Sequence, residues 1–334
     1  MDKNTQKKMI TAGAIVLALI VITLILIVVL SDRNEKQSIN YSMNNKITNQ
    51  TTGENQNTVE NVPSNETPGQ REEIDGEIEF VEISEEEKIP VPPTFKYIEG
   101  DTKTGAIIED KDGNQFVWVP VTEEIKYERI LFEHNGDDIK PEEFEKLNMN
   151  DINSYNLDFD KSVEKYNGFY IARFEAGQEA NKDLPVSKAN VLPWTQVVWQ
   201  KARELSINMY NENDYFQTDL VNSYAWDTTC IWMEKAGVDV DDSTSYGNYQ
   251  NSSDGLNKVV ETGSNDRWKA NNIYDMAGNA WEYTTEEYGD HEKYHMGRGG
   301  GYWNSGNSYP ISTRATSEDV ADLNIGFRVV MYLK

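Results

Sequence analysis

Apolar and polar positions divide this chain into three unequal parts. Met9 to Leu30 runs for 22 residues without one charge. A helix of that length spans about 33 Å at 1.5 Å per residue, enough to cross the hydrocarbon core of a bilayer. The run is too long for a typical signal-peptide core and has no small-residue cleavage site at its end, so it predicts a transmembrane helix. Residues 31–93 come next, rich in Asn, Gln, Thr, Ser and Glu and poor in aromatics. Such a segment cannot bury enough apolar surface to offset its ordering entropy and reads as a disordered acidic and polar linker. Within it, Glu77 to Ile83 alternates charged and apolar residues as a short strand would, and Pro90-Val91-Pro92-Pro93 stiffens the approach to residue 94.

From Thr94 the pattern becomes that of a folded domain. Gly105 to Ile108 and Gln115 to Val121 read as strands around an Asp112-Gly113 turn. Phe169 to Glu175 reads as a third strand. Pro193-Trp194-Thr195 opens a helix whose apolar stripe is Val198, Ala202, Leu205 and Met209. Leu220 to Ala236 reads as a second helix closed by Gly237. Val238 to Ser264 is a long polar loop, and no internal repeat is visible.

Charge and composition narrow the function classes. The net charge is −26 over 334 residues. That balance argues against nucleic acid, whose phosphates need Lys and Arg patches, and favours cations, basic partners or solubility. A single cysteine, Cys230, excludes an intramolecular disulfide. Lys3, Lys7 and Lys8 precede the apolar span and place residues 1–8 in the cytoplasm, with residues 94–334 outside, although Arg33 and Lys36 lie beyond it.

The stretch richest in candidate chemistry is Asn272-Ile273-Tyr274-Asp275-Met276-Ala277-Gly278-Asn279-Ala280-Trp281-Glu282-Tyr283. Asp275 and Glu282 are hard oxygen donors, and Gly278-Asn279 tolerates left-handed backbone. Such a segment can fold around calcium, which takes six to eight oxygens in irregular geometry. A tight aromatic-rich turn without an ion satisfies the same residues. Three other motifs carry less. Asp239-Val240-Asp241-Asp242 lacks the glycine and glutamate of a calcium loop, since Thr244 and Gln250 stand at those positions. His291-Glu292-Lys293-Tyr294-His295 has the letters of a zinc-protease motif but sits between Gly289 and Gly297 with no further His after it. Cys230, beside Ile231 and Trp232, reads as a small buried hydrophobe.

Taken with Arg298-Gly299-Gly300-Gly301-Tyr302-Trp303, Gly326-Phe327-Arg328-Val329-Val330 and Gly168-Phe169-Tyr170-Ile171-Ala172-Arg173-Phe174-Glu175, that stretch resembles the formylglycine-generating enzyme (sulfatase-modifying factor) family. The resemblance implies an α+β, C-type-lectin-like fold with little regular secondary structure. It implies calcium held by the side chains of Glu175, Asp275 and Glu282 and the carbonyls of Gly278 and Ala280. The family's oxidase binds copper through two cysteines after its Gly-Gly segment, and soft thiolates suit copper(I). Here those positions hold Asn304 and Tyr309. No catalytic residue is therefore assigned, and neither copper nor haem is expected. The resulting expectation is a membrane-anchored, calcium-stabilised binding or adhesion module for an extracellular protein or glycan. Tyr302, Trp303, Asn304, Asn307 and Tyr309 would line its ligand surface. The alternative is a sulfatase-modifying type of oxidoreductase with a divergent active site.

Overall fold

The computed structural model describes residues 76–132, 144, 147–149, 159–180, 182–211, 213–288 and 294–334. The chain divides into two units, Met1–Arg71 and Glu72–Lys334, and all described residues lie in the second. The expected membrane span and most of the linker fall outside them. Among the described residues no helix is long and apolar enough to cross a membrane.

A six-stranded antiparallel sheet forms the centre. Its strands are β3 (Phe95–Glu99), β4 (Ala106–Asp110), β5 (Gln115–Pro120), β7 (Gly168–Ala172), β8 (Phe216–Leu220) and β15 (Val329–Leu333). They lie in the order β3-β4-β5-β7-β15-β8. Side chains alternate across a strand, so this sheet has two buried faces. Val117, Val119, Phe169, Ile171, Val330 and Tyr332 pack on one side against Trp226 and Cys230 of α3 (Ser223–Lys235). Phe116, Trp118, Tyr170, Val329 and Met331 pack on the other against Ala202 and Leu205 of α2 (Trp199–Asn208). A shorter helix, α1 (Phe159–Tyr166), is fixed to the end of β15, where Ser162 Oγ donates to the Leu333 carbonyl at 2.6 Å.

The second sheet carries the candidate site. It contains β11 (Trp281–Tyr288), β12 (Tyr294–Arg298), β13 (Arg314–Glu318) and β14 (Ile325–Phe327) in the order β13-β12-β11-β14. β6 (Leu147–Met149) also pairs with β11. The β11–β14 pair is parallel and sets Glu282 beside Gly326, while the antiparallel β11–β12 pair sets Glu282 beside Arg298.

Local chemistry accounts for most element ends. The Asp110 carboxylate accepts the amides of Asp112 and Asn114 at 2.9 and 2.8 Å, closing the expected β4–β5 turn. Asn222 caps α3 by accepting Ala225 N at 2.8 Å. Two expected boundaries move. The α3 helix starts at Ser223 because Phe216–Leu220 is recruited as an edge strand beside β15. Val198 precedes α2 instead of joining its stripe, and the start of the helix is capped from afar, by Trp199 N donating to Asp319 Oδ1 at 2.7 Å.

The linker boundary at Pro93 also shifts. β1 (Glu79–Glu82) and β2 (Lys88–Val91) form an antiparallel hairpin within the expected linker. Ile89 and Val91 are buried in the core with Phe95 and Tyr170, and Tyr170 donates its hydroxyl to the Pro90 carbonyl at 2.9 Å. Two apolar residues on one strand face, met by an aromatic cluster, are enough to order a segment whose composition alone reads as linker.

Candidate functional site

The Ile273–Tyr283 stretch is a run of tight turns between β10 (Ile273–Tyr274), which pairs with β9 (Lys269–Ala270), and β11. Asn272, Asp275, Gly278 and Asn279 all have left-handed backbone. At Gly278 a Cβ would meet the Asn248 carbonyl oxygen at 2.6 Å, so only glycine allows this approach. Asn279 then uses its whole amide. Its Nδ2 donates to Glu175 Oε2 at 2.6 Å and to the Val260 carbonyl at 3.1 Å, and its Oδ1 accepts Val260 N at 3.0 Å and Asn248 Nδ2 at 3.1 Å. The Gly-Asn pair thus ties β11 to the long polar loop and to the end of β7.

Glu175, Asp275 and Glu282 come together here, each essentially fully buried. Burial, then the neighbouring carboxylates of Asp275 and Glu282, push Glu175 well above the usual carboxylate range. Burial pushes Asp275 up to about 6. Glu282 is raised by burial against the pull of Arg328. The three carboxylates expected for calcium are engaged by donors of the protein itself. Arg328 Nε and Nη2 grip both Glu282 oxygens at 2.9 and 2.5 Å. Glu175 Oε1 accepts Ala280 N at 3.1 Å, and Asp275 Oδ2 accepts Thr262 Oγ1 and Gly263 N at 2.9 and 2.8 Å. Of the six oxygens of these three carboxylates, Asp275 Oδ1 alone is buried without a donor among the described residues. Among the described residues no three acidic, His or Cys side chains are arranged to hold a metal ion. The charge that calcium would supply at Glu282 comes from a guanidinium, which matches a carboxylate fork with two parallel N–H donors.

A second buried charge network lies nearby. Arg298 Nη2 donates to Asp227 Oδ1 at 2.7 Å, and Arg314 pairs with Asp227 Oδ2. Arg314 Nε and Arg129 Nη1 each reach Glu286 at 2.8 Å, and Ser223 Oγ joins them at 2.5 Å. Burial works against the Glu286 charge, but Arg314, Arg298 and Arg129 outweigh it and hold the carboxyl below its usual range. This network joins α3, β11, β12 and β13. The sequence patterns mark Arg298 only as part of the Gly-Gly segment and do not mark Asp227, Glu286 or Arg314.

The open part of the site is a pocket of about 260 Å³ between the Gly-Gly segment and the β13–β14 connection. Trp281, Trp303, Asn304, Tyr309, Asp322 and Asn324 line it. Asn304 Oδ1 accepts both Trp281 Nε1 and Gly301 N at 2.9 Å, which fixes the indole. Tyr309 stands edge-on to Trp281 with ring centroids 5.8 Å apart. A Cβ on Gly301 would lie 2.5 Å from the Trp303 ring and 2.9 Å from Trp281, so the glycine lets the two indoles close on each other. Of the five expected surface residues, Trp303, Asn304 and Tyr309 meet at this pocket. Tyr302 packs edge-on against Trp303 at 5.0 Å, and Asn307 accepts Asn251 Nδ2 at 3.1 Å; neither lines the cavity. Asp322 and Asn324 carry no recognisable signal in sequence, since an acidic residue in a polar loop is ordinary.

His295, the last residue of the His291 motif, is on strand β12 and not on a helix; residues 291–293 lie outside the described residues. Its ring stacks on Trp199 with centroids 3.9 Å apart. Burial lowers its pKa to about 4, helped by Arg203 and opposed by Asp319. The unfolded chain therefore takes up this proton first. Stability that is present above about pH 6.5 is lost as pH falls toward 4, by about 3 kcal/mol. His295→Phe should flatten that part of the stability–pH curve in urea titrations, and equal slopes for the two proteins would refute the assignment.

The model of the sulfatase-modifying factor enzyme 1-like domain matches residues 119–333. Among solved structures the chain is similar to PvdO from Pseudomonas aeruginosa, with 14% identity and a TM-score of 0.43 over 68% of this chain and 98% of that one. It is similar to CarF, with 16% identity and a TM-score of 0.38 over 50% of this chain and 87% of that one. It is also similar to Treponema denticola variable protein 1, with 16% identity and a TM-score of 0.29 over 75% of this chain and 98% of that one. No curated protein matches it. With the family model covering well over half of its length, the chain belongs to the sulfatase-modifying factor enzyme 1-like family.

Proposed function

We propose that this protein is a membrane-anchored, extracytoplasmic binding module that uses the family fold to present a ligand pocket. The observation that carries the reading is the convergence of Trp303, Asn304 and Tyr309 with Trp281 around one open cavity whose lining contains no Cys and no His. The two positions at which the resemblance places copper-binding thiolates are occupied by residues that shape this cavity. Asn304 bolts the Trp281 indole in place, and Tyr309 forms a wall. Cys230 is buried in the core against the six-stranded sheet, and burial pushes its thiol up, away from the thiolate a copper site needs. The anchor in this reading is Met9–Leu30, with the domain outside the cell.

Two measurements test the reading. Protease added to intact cells should release the domain by cutting the linker; release only after lysis would reverse the orientation. Purified protein given a sulfatase-type Cys peptide, with and without copper, should yield no formylglycine. Turnover that disappears on Cys230→Ser would replace the module by an oxidase.

A further inference from the structure

The pocket has an unusual combination of walls. Three of its sides are aromatic rings, from Trp281, Trp303 and Tyr309. Trp281 is nearly buried and tethered through its N–H, so its ring is held in place, while Trp303 is 38% exposed. No Lys, Arg or His lines the cavity, and its one carboxylate is Asp322. Asp322 Oδ1 accepts Asn324 N at 2.7 Å, and Asp322 makes no ion pair among the described residues. Glu318 ends β13 and Asp319 stands on the β13–β14 connection, and the chain as a whole carries −26.

These features select a ligand by charge and shape together. Anions are repelled by the carboxylate and by the overall field. Ring faces present negative quadrupole and attract cations, most strongly where water is excluded. At 260 Å³ the cavity is smaller than the pockets that enclose drug-sized ligands, so it admits a compact head group and not a length of polypeptide. A group with apolar carbons for the rings and positive charge for Asp322 matches these four walls. Resting on the binding-module reading, we propose that this pocket is an aromatic cage for an alkylammonium group, with Trp281, Trp303 and Tyr309 as the cage and Asp322 as the counter-ion. That group can be carried by a lysine side chain of a partner polypeptide or by a choline-type head group.

The test is calorimetric titration of the purified full chain with four probes. They are choline, Nα-acetyl-lysine methylamide, the Nζ-trimethyl form of that amide, and 3,3-dimethylbutan-1-ol, the neutral isostere of choline. At least one cation should bind about tenfold more tightly than the neutral alcohol, as expected for a desolvated cation–π contact. Whether choline or the lysine derivatives bind better identifies the source of the group. Trp303→Ala should weaken that binding about tenfold or more. Asp322→Asn should weaken it several-fold and reduce its dependence on salt. Both side chains reach the surface, and thermal melts of the variants should match the parent. Equal affinity for the alcohol and choline, no saturable binding of any cation, or cation binding indifferent to Trp303→Ala would overturn the cage. A neutral sugar or peptide that binds in place of the cations, and is lost on Trp303→Ala, would overturn the cage alone and leave the module reading in place.

Discussion

Asp227→Ala is expected to destabilise the domain by about 3–5 kcal/mol, the cost of stranding a buried opposite charge. Asp227 is fully buried and accepts from Arg298, from Arg314 and from Ile130 N at 3.0 Å. Without it, two guanidiniums with no exposed surface face each other, and only Glu286 remains to balance them. Arg298 already has one buried nitrogen, Nη1, without a partner, so no alternative acceptor stands ready. A typical domain has 5–15 kcal/mol of stability, so the loss would consume a large part of it. Urea unfolding measures this directly. Lys201→Ala, which breaks only the exposed pair with Glu204, should change stability by less than about 0.5 kcal/mol. An Asp227→Ala loss no larger than that of Lys201→Ala would mean that the network does not hold the second sheet to α3.

The second large effect is expected at Glu282. Glu282→Ala leaves Arg328 buried, with its Nη1 and Nη2 still donating to the carbonyls of Ala172 and Tyr274 at 3.0 and 2.9 Å but with its charge unpaired. The expected cost is again about 3–5 kcal/mol. Arg328→Met should be similarly costly, because Glu175, Asp275 and Glu282 would then be three buried carboxylates that have lost the cation acting on all of them. The double variant should be less destabilised than the sum of the two, by about 1–3 kcal/mol of coupling. This cycle separates two kinds of site. If Arg328 is the partner of Glu282, the coupling is large. If Glu282 instead served a bound ion, Arg328→Met would be mild and the two changes would add.

Much of the fold is legible in the sequence because its signal is local. Phe116-Val117-Trp118-Val119 alternates between two cores, and period-2 alternation depends only on the backbone of the strand itself. The Asp112-Gly113 turn and the Gly237 helix end are legible for the same reason: left-handed backbone at those glycines is a property of single residues. The hairpin at 79–91 is less so, because four-residue strands in polar surroundings become ordered only when Phe95 and Tyr170 cover Ile89 and Val91. The pocket is legible in half. Trp303, Asn304 and Tyr309 lie within seven residues of one another, whereas Asp322 and Asn324 arrive on another connection.

What the sequence by itself determined is the alternation that makes the strands, the turn at Gly278-Asn279, the absence of a thiol pair and the resemblance that the family match supports. What only the tertiary structure decided is the role of each charge. In sequence Glu282 reads as a donor to calcium, because two carboxylates and a turn are compatible with an ion. The fold brings Arg328 onto both of its oxygens from 46 residues away. Asp227 looks like any polar position within a helix until Arg298 and Arg314 reach it from 71 and 87 residues away. Periodicity reports how a segment is shaped. The partner of a buried charge is fixed by which segments the fold brings into register, and Coulomb energy depends on that distance in space and not on separation along the chain.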